Sequence, residues 1–224
     1  VLSCTEARQF VGLSDNSNSR DTGAAAIQVA STSGPPPFPL VARYIRDQLR
    51  SDGGMSELVQ FLTDHIRTYP DDPVNSHYLV LLGDLYKNSS ADQLALNYYR
   101  RALGRYPSIE VDGTPSHLTA IQGVLVTTDL AEEKVRMYQT LLQNYEDHID
   151  VGRTHWKLAK AYESTGQWEL AYQSYRDFLR YPETTIPGHP HAIREVQQKL
   201  AFYASDRNWT RDNRDELVNA IKYA

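Results

Sequence analysis

The amino-acid sequence predicts an all-α protein. Residues 38–224 are expected to form an α-solenoid of helix pairs, and residues 1–37 a disordered or extended tether. Three observations favour this fold class. Apolar residues recur at helical spacing along residues 38–224. Small residues and prolines recur where helices would cross or end. Residues 5–37 are rich in Ser, Asn, Asp, Gly, Thr and Ala, a composition typical of segments that bury little apolar area.

Composition restricts the classes of function. The 224 residues include 23 Lys and Arg against 28 Asp and Glu, a net charge of −5, which argues against nucleic acid or an anionic membrane surface as the main partner. Hydrophobic residues make up 41% of the chain, as in globular proteins, and no apolar run approaches the ~18 residues of a spanning helix. The single cysteine excludes an intrachain disulfide, a zinc ribbon and a cysteine-ligated cluster.

The N-terminal segment, residues 1–37, is predicted to be a lipoprotein-like anchor and flexible tether. Cys4 follows Val1-Leu2-Ser3, which resembles the end of a bacterial lipoprotein signal, where a small residue precedes the cysteine that receives lipid. Gly34-Pro35-Pro36-Pro37 closes the segment with a stiff polyproline element. Cys4 is therefore the predicted lipidation site. The alternative is a disordered tail with no anchoring role.

Two helix pairs stand out in the folded part, over residues 76–109 and 152–183. The first has apolar, small and proline residues at Leu82, Gly83, Tyr86, Ala95, Tyr99, Ala102 and Pro107. The second has the corresponding series Leu158, Ala159, Tyr162, Ala171, Tyr175, Phe178 and Pro182. Small residues permit close approach of two helices, and proline cannot continue a helix, so each unit should stop at its Tyr-Pro.

Three looser units complete residues 38–224. Residues 38–70 carry helical apolar spacing, a Gly53-Gly54 turn and a Tyr-Pro stop. Residues 114–146 should begin a helix at Thr114-Pro115, and Asp129 with Glu132 resembles a capping box for the second helix of that unit. Residues 190–224 form a last pair, in which Pro190 starts a helix and a short link near Trp209 leads to a second one.

These residues resemble the tetratricopeptide repeat, a 34-residue helix–turn–helix unit. Counted from Ser76, all seven diagnostic positions of the repeat are occupied by residues of the right type. Counted from Gly152, six of seven fit. In texture the chain resembles bacterial envelope lipoproteins with such repeats, including the lipoprotein of the β-barrel assembly machine, pilotins and transporter-associated repeat proteins. The resemblance implies a helical-repeat scaffold in the periplasm, anchored to a membrane, with the outer membrane favoured.

No pattern typical of an active site is present. The sequence contains no phosphate-binding glycine-rich loop, no His-Glu-x-x-His pair and no Gly-x-Ser-x-Gly elbow. Asp64-His65 is predicted to lie on a helix surface without a nucleophile partner. His189-Pro190-His191 is expected to be an exposed turn rather than a metal site. We therefore expect a protein that is not an enzyme, with no catalytic residues, no metal and no small-molecule cofactor.

Recognition of a protein or peptide remains as the expected activity. Members of the repeat family present residues of the first helix of each pair on a concave face. This resemblance implies partner-binding positions at His77, Asp84 and Lys87 in one unit and at Arg153, Trp156, Lys160 and Glu163 in the other. Trp156, flanked by two cations, is the expected anchor for an acidic segment or a carboxylate, since Trp and Arg are frequent binding hot spots. The alternative is that Trp156 packs against the neighbouring helix pair.

The leading interpretation is a non-enzymatic, lipid-anchored interaction scaffold of a bacterial envelope assembly. It would contact a protein partner and, through Cys4, a membrane. One alternative is a carrier of a small ligand or hydrophobic substrate, which a large enclosed apolar pocket would favour. A cytosolic adaptor is a further alternative.

Overall fold

The computed structural model describes residues 34–36, 38–50, 54–181 and 189–205. Within these residues the fold is all-α, as predicted, with nine α-helices, one 3₁₀ turn and one two-stranded hairpin. Among the described helices, no segment is both long enough and apolar enough to cross a membrane. The chain divides into two compact units, residues 1–127 and 128–224.

The first unit contains five helices and the hairpin. They are α1 (Phe38–Arg50), α2 (Gly54–Thr68), α3 (Asn75–Asn88), α4 (Asp92–Arg105), β1 (Glu110–Val111), β2 (Thr114–Pro115) and α5 (Ser116–Thr127). The ring of Tyr99, on α4, lies against Gly83 of α3 and Gly123 of α5, and a Cβ atom on either glycine would come within 2.4–2.5 Å of it. Two glycines thus let one buried tyrosine fill the space between three helices.

The helix predicted to begin at Thr114-Pro115 begins two residues later, at Ser116. Thr114 and Pro115 instead pair with Val111 and Glu110 in the antiparallel hairpin. The turn residues Asp112 and Gly113 both have positive φ values, 50° and 75°. An Asp-Gly pair favours this kind of tight hairpin turn, and here it outweighs the helix-start signal of proline. The hairpin is a small departure from the prediction that the folded part contains no sheet.

The described residues of the second unit form four helices. They are α6 (Ala131–Asn144), α7 (Val151–Ser164), α8 (Trp168–Phe178) and α9 (His189–Ser205), with a 3₁₀ turn at Glu146–His148. Its core is a cluster of buried apolar residues that includes Leu158, Tyr175, Phe178, Val196 and Leu200. Residues from α7, α8 and α9 therefore share one core.

Two local predictions are wrong. The predicted capping box of Asp129 and Glu132 does not form at α6, whose N-cap residue is Leu130. The side-chain hydrogen bonds at this helix start come from Thr128 instead: its hydroxyl accepts from the Leu130 N–H and donates to the Glu133 carboxylate. His65, predicted on a helix surface, is 4% exposed and contacts Asp72 at 3.1 Å.

Several predictions concern residues outside the described part of the chain. They are lipidation of Cys4, most of the tether over residues 1–37, the glycine turn at Gly53 and the second helix of the pair over residues 190–224. The first helix of that last pair is confirmed, because α9 includes Pro190 near its start.

Candidate functional site

A surface pocket of about 350 Å³ lies where α7, α8 and α9 of the second unit meet. Acidic, basic and aromatic side chains converge on it from all three helices. Its lining consists of Glu163, Trp168, Glu195, Gln198, Lys199, Phe202 and Tyr203. The volume is at the lower end of the ~300–1,000 Å³ found for ligand pockets.

Glu163 is the polar centre of the pocket wall. Its carboxylate accepts hydrogen bonds from the hydroxyls of Tyr175, at 3.0 Å, and Tyr203, at 2.6 Å. Lys199 Nζ approaches both carboxylate oxygens, at 2.5 and 2.7 Å. One side chain on α7 is thereby joined to residues of both α8 and α9.

These contacts control the ionisation of Glu163. Burial alone raises the pKa of this carboxyl group, but the hydrogen bonds from Lys199, Tyr203 and Tyr175 outweigh burial, so the pKa is lowered. Burial, followed by contact with the carboxylate, raises the pKa of both tyrosines. Glu163 is therefore ionised at neutral pH, and three donors already occupy its oxygens. This arrangement suits a brace between helices better than a general base.

Exposed aromatic rings form the apolar side of the pocket. Trp168 is 52% exposed and Phe202 is 68% exposed, although both are large apolar residues. Their ring centroids lie 6.3 Å and 6.1 Å from the ring of Tyr203. Trp168 is the first residue of α8, directly after the turn in which Gly166 adopts a φ of 71°. That left-handed turn sets the direction in which α8 leaves α7.

Three of the four residues predicted for partner binding on the second unit, Trp156, Lys160 and Glu163, make side-chain contacts within their own chain. Lys160 forms an ion pair with Glu195 of α9, at 3.1 Å, and its Nζ lies 3.8 Å from the centroid of the Trp156 ring. Trp156 is partly buried and packs against the core cluster of the unit. Its indole Nε1 is buried without a hydrogen-bond partner. The Arg153 backbone N–H donates to Asp150, which caps α7. Trp156 thus packs against the core of its own unit.

The predicted residues on the first unit are also engaged internally. His77 packs edge-on against Phe38, with ring centroids 5.8 Å apart, and burial lowers the pKa of His77 to about 4. Asp84 accepts from the Tyr99 hydroxyl at 2.6 Å, and burial raises the pKa of Asp84 to about 6. Lys87 pairs with Asp92 at 2.9 Å. The structure brings these three side chains into contact with helix neighbours rather than into one shared site.

Of the seven predicted partner-binding residues, only Glu163 lines the pocket. The sequence analysis assigned none of Trp168, Lys199, Phe202 and Tyr203 to a site. One signal was available: the run Leu200-Ala201-Phe202-Tyr203 makes the end of α9 more apolar than one buried face requires.

The described residues contain no cluster of His, Cys, Asp or Glu suited to a metal ion. The chain matches no protein-family model, no curated protein and no solved structure. Geometry and chemistry of the pocket are therefore the basis for a functional proposal.

Proposed function

We propose that this protein is a non-enzymatic protein-binding module and that the pocket formed by α7, α8 and α9 is its binding surface. The exposure of Trp168 and Phe202 beside a braced polar wall is the observation that supports this most directly. Large aromatic side chains left in water cost free energy that a partner recovers by covering them. Aromatic residues are also enriched among interface hot spots.

The helix pairs are proposed to be tetratricopeptide-like units. Two turns support this. In the first unit Ser90 adopts a φ of 59°, and the next N–H, of Ala91, donates to Tyr86 O at 2.9 Å. In the second unit Gly166 adopts a φ of 71°, and the Gln167 N–H donates to Tyr162 O at 2.9 Å. The same helix-ending turn thus occurs at the same position of both repeats, counted from Ser76 and Gly152.

We further propose, on the sequence alone, that Cys4 anchors the module by lipid in a bacterial envelope and that residues 5–37 act as a spacer. Replacement of Cys4 by Ser should then move the full-length protein from the detergent phase to the aqueous phase. Mass spectrometry that finds a free thiol on Cys4 in protein from its native membrane would contradict the anchor.

The openness of the pocket supports the scaffold over the carrier. A carrier is expected to enclose its ligand, and ligand pockets usually bury ~70–90% of the ligand surface. Here Phe202 and Trp168 remain more than half exposed, so a bound molecule would stay in contact with water. The open site favours the surface of a larger partner, and we therefore rank the scaffold above the carrier.

Site-specific photocrosslinking tests the proposed surface. A photoreactive p-benzoylphenylalanine in place of Gln198, at the edge of the pocket, should yield a discrete crosslinked partner in cells that make this protein. The same group in place of Leu94, an exposed residue on α4, is the matched control and should not give that adduct. Equal adducts at both positions, or none at Gln198, would count against the pocket as the interface.

A further inference from the structure

We propose that Tyr86 and Tyr98 of the first unit form an oxidative coupling site, at which a haem peroxidase with hydrogen peroxide joins their rings into dityrosine. The product is a covalent link between α3, which carries Tyr86, and α4, which carries Tyr98. This site does not depend on the proposed function, because it uses neither the pocket nor a binding partner.

The rings of Tyr86 and Tyr98 are stacked on each other. Their centroids lie 5.3 Å apart and their planes differ by 5°, which is an offset stack. The two side chains also hydrogen-bond to each other, and the hydroxyl is the polar group of a tyrosine side chain, so the phenol ends of both rings meet. The Cε carbons, which flank the carbon that bears the hydroxyl, are therefore neighbours across the stack.

Exposure separates this pair from the tyrosine beside it. Tyr86 and Tyr98 are both partly exposed, so an oxidant can reach each ring from the solvent. Tyr99, the next residue of α4, is only 2% exposed, and its hydroxyl donates to Asp84 at 2.6 Å. Oxidation of this part of α4 is therefore directed to Tyr98.

The stack is not a requirement of a helix pair. In the same repeat numbering, the second strong helix pair has Tyr162 and Ser174 at the two corresponding positions. Tyr162 is 5% exposed and its hydroxyl accepts from Gln139, while Ser174 has no ring to stack. One helix pair thus forms without such a stack, so packing alone does not explain the stack in the first unit.

Coupling of the two phenols is a two-electron oxidation. Each phenol gives one electron to the peroxidase haem and its hydroxyl proton to water, and the unpaired electron of the resulting radical is shared between the oxygen and the Cε carbons. The two radicals form one Cε–Cε bond, and each Cε proton then moves to a phenol oxygen, which restores both aromatic rings. Hydrogen peroxide takes up the two electrons and two protons and becomes two molecules of water.

Placement of the two phenols favours coupling within one chain. Two reacting groups that are already held together need no bimolecular encounter. The guanidinium carbon of Arg101 lies 5.5 Å from the centroid of the Tyr98 ring, and this contact further limits the movement of the ring. The link closes a loop from the last turn of α3 to α4, so it restricts the unfolded chain as a disulfide does.

Treatment of the full-length protein with a haem peroxidase and hydrogen peroxide tests the proposal. After tryptic digestion in denaturant, Tyr86 lies in the peptide 68–87 and Tyr98 in the peptide 88–100. We expect a species whose mass is the sum of these two peptides less two hydrogen atoms, together with dityrosine fluorescence. A missed cleavage after Lys87 is distinguishable, because its mass is the sum less one water.

Phenylalanine variants identify the coupled residues. Tyr86→Phe and Tyr98→Phe each keep a ring but remove the phenol, so each should abolish the linked species. Tyr181→Phe is the matched control, because it removes a tyrosine of the second unit that is 37% exposed, and it should leave the yield unchanged. Absence of the linked species from the wild-type protein, or its persistence in either of the first two variants, would overturn the proposal. A covalent dimer in place of the internal link would also overturn it.

Urea unfolding tests whether the link holds the two helices together. Oxidation should raise the urea midpoint of the wild-type protein, because the link restricts the unfolded chain. The same treatment should not raise the midpoint of Tyr98→Phe, which undergoes any other oxidation but cannot form the link. An equal change on oxidation in both proteins would overturn the proposed link between α3 and α4.

Discussion

Replacing Gly83 with alanine is the sharpest test of how the first unit packs. Gly83 lies on α3, and a Cβ atom there would stand 2.4 Å from Cε1, 2.7 Å from Cδ1 and 2.8 Å from Cζ of the Tyr99 ring. Tyr99 is 2% exposed and has Gly123 of α5 on another side, where an added Cβ would also come within 2.5 Å of the ring. The ring therefore cannot move away from Gly83 without disturbing a third helix.

The expected cost combines three contributions. Overpacking of a close-packed core costs ~1–3 kcal/mol. Displacement of the Tyr99 ring also weakens its hydrogen bond to Asp84, and bonds to charged groups contribute ~1.5–3 kcal/mol. Alanine in a helix interior is more stable than glycine by ~1 kcal/mol, which offsets part of this loss. We expect Gly83→Ala to lower the free energy of unfolding by about 3 kcal/mol, since the two unfavourable contributions outweigh the helix propensity.

Urea unfolding followed by far-ultraviolet circular dichroism measures this loss, and the chain contains a matched control. Gly104, on α4, has open space around the position of an added Cβ. Gly104→Ala is the same chemical change and should raise stability by up to ~1 kcal/mol through helix propensity. The two alanine variants should therefore change stability in opposite directions.

A double-mutant cycle identifies the Tyr99 ring as the cause. In a Tyr99→Ala background the clash is absent, so adding Gly83→Ala should be neutral or stabilising instead of costly. If Gly83→Ala alone is as stable as Gly104→Ala, or if its cost persists without the Tyr99 ring, the described packing of α3 against α4 is wrong.

Three further predictions follow from the contacts of the predicted site residues. The native pKa of Asp84 is raised from 3.8 to about 6, so its contribution to stability is present below pH 3.8 and lost as pH rises through about 6. The pKa of His77 is lowered from 6.5 to about 4, so its contribution to stability is present above pH 6.5 and lost as pH falls through about 4. Compared with the wild-type profile, Asp84→Asn should therefore make urea stability fall on acidification, and His77→Gln should make it rise. Parallel pH profiles of the two variants would contradict this. Trp156→Ala should lower the free energy of unfolding by about 2–3 kcal/mol, because packing against the core cluster is lost. An unchanged urea midpoint would show that Trp156 does not contribute to the core. Glu163→Gln should speed amide hydrogen exchange in α9, because it removes the charge that holds Lys199, whereas Glu169→Gln should not; equal protection in both variants would contradict the brace.

The helix pairs were predictable from the sequence because their signals are local. Helical periodicity and small residues placed a unit over residues 76–109, and the structure has α3 and α4 over Asn75–Asn88 and Asp92–Arg105. Failures occurred where two local signals competed. At residues 110–115, the proline after Thr114 indicated a helix start, but Asp112-Gly113 favoured a hairpin turn and prevailed.

The candidate site was not predictable in the same way, because it depends on contacts between distant residues. Repeat position selected Lys160 and Glu163 as exposed binding residues. Glu195 and Lys199, 35 and 36 residues further along the chain, pair with them when α9 packs against α7. Exposure of Trp168 and Phe202 likewise depends on which faces of α8 and α9 the core leaves open. The spacing of residues within one helix does not show which of its faces the rest of the fold will cover.

One interaction occurs in both strong helix pairs, but it leaves the two carboxylates in different surroundings. In α3 and α4 the Tyr99 hydroxyl donates to Asp84, and in α7 and α8 the Tyr175 hydroxyl donates to Glu163, with the tyrosine at the same repeat position. Asp84 is partly buried and its pKa is raised to about 6, so this carboxyl group is about half ionised at that pH. Glu163 gains Lys199 and Tyr203 from α9, and its pKa is lowered.

The difference has a structural consequence for binding. An ionised carboxylate that accepts from three donors on two other helices fixes those helices, and rigid placement of contact residues reduces the entropy that a partner loses on binding. Tyr203, held by this carboxylate, is buried and contacts the exposed rings of Trp168 and Phe202. The contacts that occupy the Glu163 carboxylate therefore also hold the aromatic side chains next to it in place. Tyr203→Phe, which keeps the ring but removes its hydrogen bond to Glu163, should lower the yield of the crosslink formed at Gln198, because Trp168 and Phe202 lose a fixed support. An unchanged yield would contradict this role of the hydrogen bond.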